Sequence, residues 1–87
     1  MVLQKNEVYI IKEINEDVVI LNPNTGDYFG INSVGADFMR MIDGKKALSE
    51  IIDDMSKIYD VDYETLSGDL TALADSLLKN NILIKTV

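Results

Sequence analysis

The stretch from Leu21 to Asn32, L-N-P-N-T-G-D-Y-F-G-I-N, constrains the fold of this 87-residue chain more than any other. It contains the only proline, Pro23, in a cluster of turn-forming residues, followed by a short apolar run. Pro23 presets φ for an early turn position, and Asn24 and Gly26 tolerate positive φ. The stretch therefore predicts a loop and then a strand over residues 27–32.

Side chains alternate between the two faces of a strand, so Phe29 and Ile31 are expected on one face of this one. The other face would carry Tyr28, Gly30 and Asn32. A glycine inside a strand marks a bulge or a close approach of another backbone. Neither proline nor lysine guards the edge against pairing with a further strand. The strand is therefore expected to present an open edge.

Two β-branched runs precede this strand, V-Y-I-I-K-E-I over residues 8–14 and V-V-I-L over residues 18–21. The short polar spacer between them suits a hairpin. Three consecutive strands with short connections predict an antiparallel meander. Such a sheet is too small to be stable alone and needs a helical layer on one face.

Three amphipathic helices are predicted after the sheet. Asn32 or Ser33 can cap the first, which ends at Gly44, and the second covers the apolar positions of residues 48–59. Asp62 is the expected N-cap of the third helix, whose apolar stripe comprises Leu66, Leu70, Leu73, Ala74, Leu77 and Leu78. This stripe spans roughly 140° at about 100° per residue. Either the helix is wedged between two elements, or part of the stripe awaits a partner.

The expected fold class is therefore α+β, a single domain over residues 1–87. Its strands lie at about 8–32 and its helices at about 33–80. Asn80 and Asn81 suit the end of the third helix, and a short C-terminal tail, residues 81–87, can lie against the body as an extended segment.

The composition argues against several classes of function. A net charge of −7 repels nucleic acid and anionic membrane surfaces, and no apolar run is long enough to span a bilayer. Histidine and cysteine are absent, which removes the commonest catalytic bases, nucleophiles and transition-metal ligands. We therefore expect a cytoplasmic protein that is not an enzyme and has no metal and no cofactor.

Several segments follow one another in a recognisable order. The first is V-V-I-L-N-x-x-T-G-x-Y-F-x-I-N, residues 18–32. The others are Ile42-Asp43-Gly44, Leu48-x-x-Ile51, Tyr59-x-Val61 and the region from Asp69-Leu70 to Ile82. Taken together, these segments resemble the small PqqD-like family over nearly the whole chain. One departure is Ala47, which stands where the family often has a threonine that caps the second helix. A missing cap costs about 1 kcal/mol.

The resemblance implies a winged-helix-like fold and a non-catalytic role in recognising ribosomally made, post-translationally modified peptides (RiPPs). In that family the leader segment of a precursor peptide adds as a strand beside the third strand, with side chains in a groove against the third helix. Carried over by position, the candidate leader-binding residues are Tyr28, Phe29, Gly30, Ile31, Leu66, Asp69, Leu70, Leu73 and Leu77. Plain core packing is an equal alternative for the apolar ones. Asp69 could hold a basic leader residue or be an ordinary solvated side chain.

The implied partners are the precursor's leader region and a maturation enzyme, either a leader peptidase, as in lasso-peptide biosynthesis, or a radical enzyme, as in pyrroloquinoline quinone synthesis. The small free-standing chain favours the lasso type. Two alternatives stay open. The same strand edge could pair with a second copy in a homodimer. A winged-helix DNA-binding domain is disfavoured, because Glu64, Asp69 and Asp75 outnumber the single Lys79 on the third helix.

Overall fold

A computed structural model describes residues 1–86 and contains eight elements. Five are strands and three are helices, in the chain order β-β-β-β-α-α-α-β. The strands are β1 (Leu3–Lys5), β2 (Ile10–Ile14), β3 (Asp17–Leu21), β4 (Tyr28–Ile31) and β5 (Leu83–Lys85). The helices are α1 (Ser33–Met41), α2 (Leu48–Ile58) and α3 (Tyr63–Lys79).

Strands β2, β3 and β4 form the antiparallel meander that the sequence predicts. Asn15 makes the first turn with φ at 58°. In the second turn the Gly26 N–H donates to the Asn22 carbonyl at 2.8 Å, and Gly26 has φ at 80°. Residues of β3 and β4 pair one to one from Val18–Ile31 to Leu21–Tyr28. No bulge therefore lies at Gly30, which excludes one of the two alternatives for that glycine.

The three helices begin where the sequence predicts. The Asn32 side chain caps α1 by accepting from the Gly35 N–H at 3.0 Å, and the Asp62 side chain caps α3 by accepting from the Thr65 N–H at 3.2 Å. Ala47 offers α2 no side-chain cap, although the Glu50 carboxylate accepts from the Ala47 N–H at 3.2 Å. Helix α2 therefore has half of a capping box.

The hydrophobic core lies between the inner face of the meander and the helices. Val18 and Ile20 of β3 enter it, and Phe38 of α1 is its largest fully buried side chain. Helix α3 packs against α1, α2 and β5. Its stripe is buried at Leu66, Leu70, Ala74 and Leu77 and partly buried at Leu73 and Leu78. Of the two alternatives for this stripe, the structure shows α3 wedged between neighbouring elements, with Leu73 and Leu78 left partly exposed.

A second sheet, absent from the sequence-based expectation, pairs β1 with β5. Leu3 in β1 is fully buried, and the Asn6 N–H donates to the Ile82 carbonyl at 2.9 Å. The tail that the sequence predicts as extended forms strand β5, and the Thr86 N–H donates to the Val2 carbonyl. Val87 lies outside the described residues. We call this two-stranded β1–β5 sheet the clasp. It holds the end of α3 against the core.

Within residues 1–86, no helix combines the length and the apolar composition needed to cross a bilayer.

Candidate functional site

Strand β4 is one edge of the three-stranded sheet, since β3 is its only paired neighbour among residues 1–86. The Asn22 N–H donates to the Asp27 carbonyl at 2.8 Å, which makes these two residues a hydrogen-bonded pair. Such pairs alternate with non-hydrogen-bonded ones along an antiparallel ladder. The register therefore implies that the backbone groups of Phe29 and Ile31 form hydrogen bonds to β3. Tyr28 and Gly30 turn their N–H and C=O groups toward the open edge.

A cavity of about 410 Å³ lies between this edge, the start of α1 and the middle of α3. Its volume falls within the range of about 300–1,000 Å³ that is typical of ligand pockets. The residues that line it are Gly30, Ile31, Asn32, Val34, Gly35, Asp69, Leu70 and Leu73. The floor is apolar, and a carboxylate stands at one side. Backbone hydrogen-bonding groups and a pocket for side chains therefore lie next to each other.

The close approach of α1 to β4 and α3 depends on Gly35. A Cβ atom built on this residue would overlap Cγ2 of Ile31 and would lie 3.3 Å from Cδ2 of Leu73. Any larger residue would push apart the three elements that meet at the cavity. Gly35 therefore sets the width of the cavity floor.

A smaller apolar hollow of about 110 Å³ adjoins the cavity. Val34 and Asp69 line both, and Leu66, Tyr59, Val61 and Thr65 complete the smaller one. The two together form a continuous groove from the β4 edge to the start of α3. Asp69 is exposed where the two parts meet.

The nine predicted leader-binding residues divide into three groups. Five line the cavity: Gly30, Ile31, Asp69, Leu70 and Leu73. Leu66 lines the smaller hollow. The remaining three are placed elsewhere, with Tyr28 73% exposed on the outer face of the sheet, Phe29 partly buried against the core and Leu77 buried in it.

Sequence reasoning missed three residues of the cavity wall, Asn32, Val34 and Gly35. Gly35 did leave a signal, because a glycine within an amphipathic helix pattern usually has a packing reason. The roles of Asn32 and Val34 depend on how α1 leaves β4, which no local pattern encodes.

A network of polar side chains lies behind the groove and holds the Tyr59 ring that forms part of its wall. The Tyr59 hydroxyl donates to the Asp37 carboxylate, and Arg40 bonds both Asp37, at 2.7 Å, and Glu13 of β2. The hydrogen bond to Asp37, with a smaller effect of burial, raises the pKa of Tyr59. Since the Tyr59 ring lines the smaller hollow, this network fixes one wall of the groove.

The described part of the chain, residues 1–86, contains no cluster of three carboxylates that could hold a metal ion. Helix α3 turns Glu64, Asp75 and Lys79 to solvent. This acidic surface is the wrong charge for a helix that would enter a DNA groove.

The fold and the groove define a class of small α+β domains with a winged-helix-like order and an open sheet edge beside the last long helix. The sequence profile of the family described as coenzyme PQQ synthesis protein D (PqqD) matches residues 17–83. The chain belongs to the PqqD family.

Two solved structures are similar over almost their full length. TbiB1 in complex with the TbiA(beta) leader peptide is 27% identical, with a TM-score of 0.83 over 97% of this chain and 98% of that one. Lasso peptide synthetase B1 complexed with the leader peptide is 17% identical, with a TM-score of 0.82 over 94% and 96%. No curated protein sequence matches. The resemblance to the PqqD-like family is confirmed.

Proposed function

We propose that this chain is a non-catalytic binding protein that captures the leader segment of a ribosomal precursor peptide and presents it to a leader-cleaving enzyme. The observation that carries the proposal is the open β4 edge, which runs directly beside the groove between α1 and α3. Family membership and the leader-bound state of the 27% identical TbiB1 structure support it.

In this proposal the leader adds as a strand beside β4. Its backbone pairs with the outward N–H and C=O groups of Tyr28 and Gly30. Each such hydrogen bond contributes about 0.5–1.5 kcal/mol net. Gly30 has no heavy atom within 4 Å of its missing Cβ, so packing within this chain does not require glycine there. Alanine at this position is therefore expected to leave the strand edge intact.

Selectivity comes from the groove. Leader side chains that point inward meet Ile31, Leu70 and Leu73, which favour apolar residues. Among residues 1–86, Asp69 is the only charged residue that lines either part of the groove. It would favour a lysine or arginine between two apolar residues of the leader. The roles of four further residues remain proposals. Tyr28 would pair with the leader through its backbone, and Leu66 would contact a leader side chain in the smaller hollow. Phe29 and Leu77 would support the groove from the core.

The test is fluorescence polarisation with a labelled leader peptide from the precursor encoded beside this protein. Gly30→Pro removes the outward N–H and leaves the β3–β4 ladder in place, because proline is tolerated on an edge strand whose N–H faces solvent. We expect at least a tenfold loss of affinity, against little change for Gly30→Ala, which keeps the N–H. Ile31→Pro is a poorer probe, because the Ile31 backbone bonds to β3 and its side chain is buried.

Equal affinities of folded Gly30→Pro and Gly30→Ala would contradict strand addition. Absence of saturable binding by the parent would contradict the leader-binding function altogether.

Pairing of two copies through the same edge is the second candidate, because nothing within residues 1–86 covers β4. Sedimentation without peptide separates the two functions. A dimer that Gly30→Pro dissociates would favour self-association.

A further inference from the structure

Tyr59 lies between two cavities of opposite character. Its side chain lines the smaller apolar hollow, of about 110 Å³, and also a further cavity of about 370 Å³. We call this further cavity the polar cavity, because the other residues that line it are all polar: Asn15, Glu16, Ser33, Asp37 and Arg40. An aromatic ring gains little from packing against such side chains. Apolar packing therefore does not by itself decide how far Tyr59 turns toward the polar cavity.

The backbone of Tyr59 leaves its side chain free to choose among rotamers. The residue is the C-cap of α2 and has extended backbone angles, with φ at −98° and ψ at 133°. Its N–H donates to the Met55 carbonyl at 3.0 Å, and residues 59–62 connect α2 to α3 outside either helix. Which rotamers are allowed depends on the backbone, and an extended residue escapes the exclusions that a helix imposes. Contacts of the side chain must therefore fix the ring.

A hydrogen bond at the end of the ring supplies that contact. The Tyr59 hydroxyl donates to Oδ2 of Asp37, and Arg40 donates to the other carboxylate oxygen, Oδ1, at 2.7 Å. Nε of Arg40 donates in turn to Glu13 of β2. Because both carboxylate oxygens are engaged, the orientation of Asp37 is set from two sides. The sheet and α1 together hold the hydroxyl of a residue whose ring lines the groove.

We propose that Asp37 is a positioning residue for leader recognition. Acting through Tyr59, it sets the shape of the smaller hollow and thereby selects the apolar leader side chain that enters it. The proposal rests on the proposed function and deepens it by placing part of the selectivity outside the groove, since Asp37 and Arg40 line neither of its two parts within residues 1–86. Without the hydrogen bond the ring would hold its place for a fraction of the time, and the apparent affinity would fall by that fraction.

The test is fluorescence polarisation with the labelled leader peptide from the precursor encoded beside this chain. Asp37→Ala removes the acceptor and Tyr59→Phe removes the donor, and each should weaken leader binding about three- to tenfold. The double variant should bind like either single variant, because both substitutions remove the same interaction. Asp37→Asn keeps an oxygen that accepts from the hydroxyl and should restore the affinity of the parent.

Asp53→Ala is the matched control. The Tyr63 hydroxyl donates to Asp53 at 2.9 Å, so this substitution also removes a carboxylate that accepts from a tyrosine. Neither of these two residues lines the groove within the described part of the chain. We expect Asp53→Ala to bind the leader with the affinity of the parent.

A second measurement separates positioning from a general loss of stability. Each apolar residue of the leader is replaced in turn by alanine, and every peptide is measured against the parent and Asp37→Ala. At one leader position, alanine should cost the parent clearly more affinity than it costs Asp37→Ala, because that side chain enters a hollow whose wall the variant no longer fixes. At the other positions the two losses should agree.

Each contrary outcome identifies what failed. Parental leader affinity in folded Asp37→Ala and Tyr59→Phe overturns the positioning role and leaves the proposed function standing. A loss that is the same for every leader peptide, or that Asp53→Ala shares, also overturns it, because a purely structural effect would behave in this way. Thermal unfolding checks each variant, and if Asp37→Ala does not fold, Tyr59→Phe takes its place in the peptide series. Failure of the parent to bind the leader overturns both proposals.

Discussion

Gly35 of α1 lies against Ile31 of β4 so closely that no Cβ fits between them without displacing the Cγ2 methyl of Ile31. The same missing Cβ would lie 3.3 Å from Leu73 of α3. One hydrogen atom in place of a methyl group thus allows a strand and two helices to meet at the floor of the groove.

Gly35→Ala should destabilise the protein by about 1–3 kcal/mol, because the added methyl group overpacks a closed contact. The measurement is urea unfolding. Gly68→Ala is the matched control on α3, where an added Cβ has no neighbour within 4 Å. Alanine in place of that helical glycine should stabilise by about 0.5–1 kcal/mol. Equal effects of the two substitutions would contradict the role given to Gly35.

Ala47→Ser should stabilise the protein by about 0.5–2 kcal/mol, because it supplies the side-chain cap that α2 lacks. Residue 47 already has extended backbone angles, and Glu50 is already bonded to its N–H. Ala72→Ser, at an exposed position within α3, should instead destabilise slightly. The difference in midpoint between these two variants in chemical denaturation tests the prediction.

Leu3→Ala should destabilise the protein by about 2–5 kcal/mol, the usual cost of emptying a fully buried leucine site. Val8→Ala, at a 56% exposed position in the nearby turn, serves as the comparison and should change stability little. A small effect at Leu3 in calorimetry would mean that strand β1 does not contribute to the core.

The Tyr59 hydroxyl should make stability depend on pH in the alkaline range. Its hydrogen bond to Asp37 raises the pKa in the folded state above the ordinary value of 10.0. The protonated hydroxyl therefore stabilises the fold below pH 10, and this contribution is lost as pH rises through the folded pKa. Tyr59→Phe should flatten that loss in unfolding curves recorded from pH 9 to 11.

Tyr63 needs a parallel control, because its hydrogen bond to Asp53 also raises its pKa. If Tyr59→Phe and the parent lose stability equally above pH 10 while Tyr63→Phe does not, the effect belongs to Tyr63.

Asp69→Asn should weaken binding of a leader that carries a basic residue by roughly two- to fivefold, the effect of one exposed ion pair. The difference should shrink as salt rises, because ions screen exposed charges. Asp75→Asn, also exposed on α3 but outside the groove, is the control. Affinities measured by polarisation at two salt concentrations decide whether the Asp69 carboxylate contacts the leader.

The local part of the fold was predictable. Alternation placed Phe29 and Ile31 on the inner face. Asp62 was correctly expected as a cap, and Asn32 was one of the two candidates for the first helix, because these features depend on neighbours within a few residues. Strand β1 was missed because L-Q-K has no alternation long enough to detect and its partner lies 80 residues away. Pairing over such a separation leaves no local pattern.

The candidate groove was predicted in outline but not in its walls. The sequence indicated the β4 edge and the Leu70 side of α3, which the cavity joins. It could not tell which backbone groups face outward, because the bond between Asn22 and Asp27 sets that alternation. Nor could it predict that Gly35 would meet Ile31 and Leu73, since that contact depends on the angle at which α1 crosses the sheet.

The β1–β5 clasp has a mechanical consequence. Leu3 pairs with Lys85, and the Thr86 N–H bonds to the Val2 carbonyl at 3.0 Å, so both strands run outward to the same end of the ladder. A force applied at residues 2 and 86 would break these hydrogen bonds one after another, starting at the chain termini, and would not load them all at the same time. The three-stranded sheet is a separate ladder, so pulling would open the clasp first while the β4 edge keeps its shape.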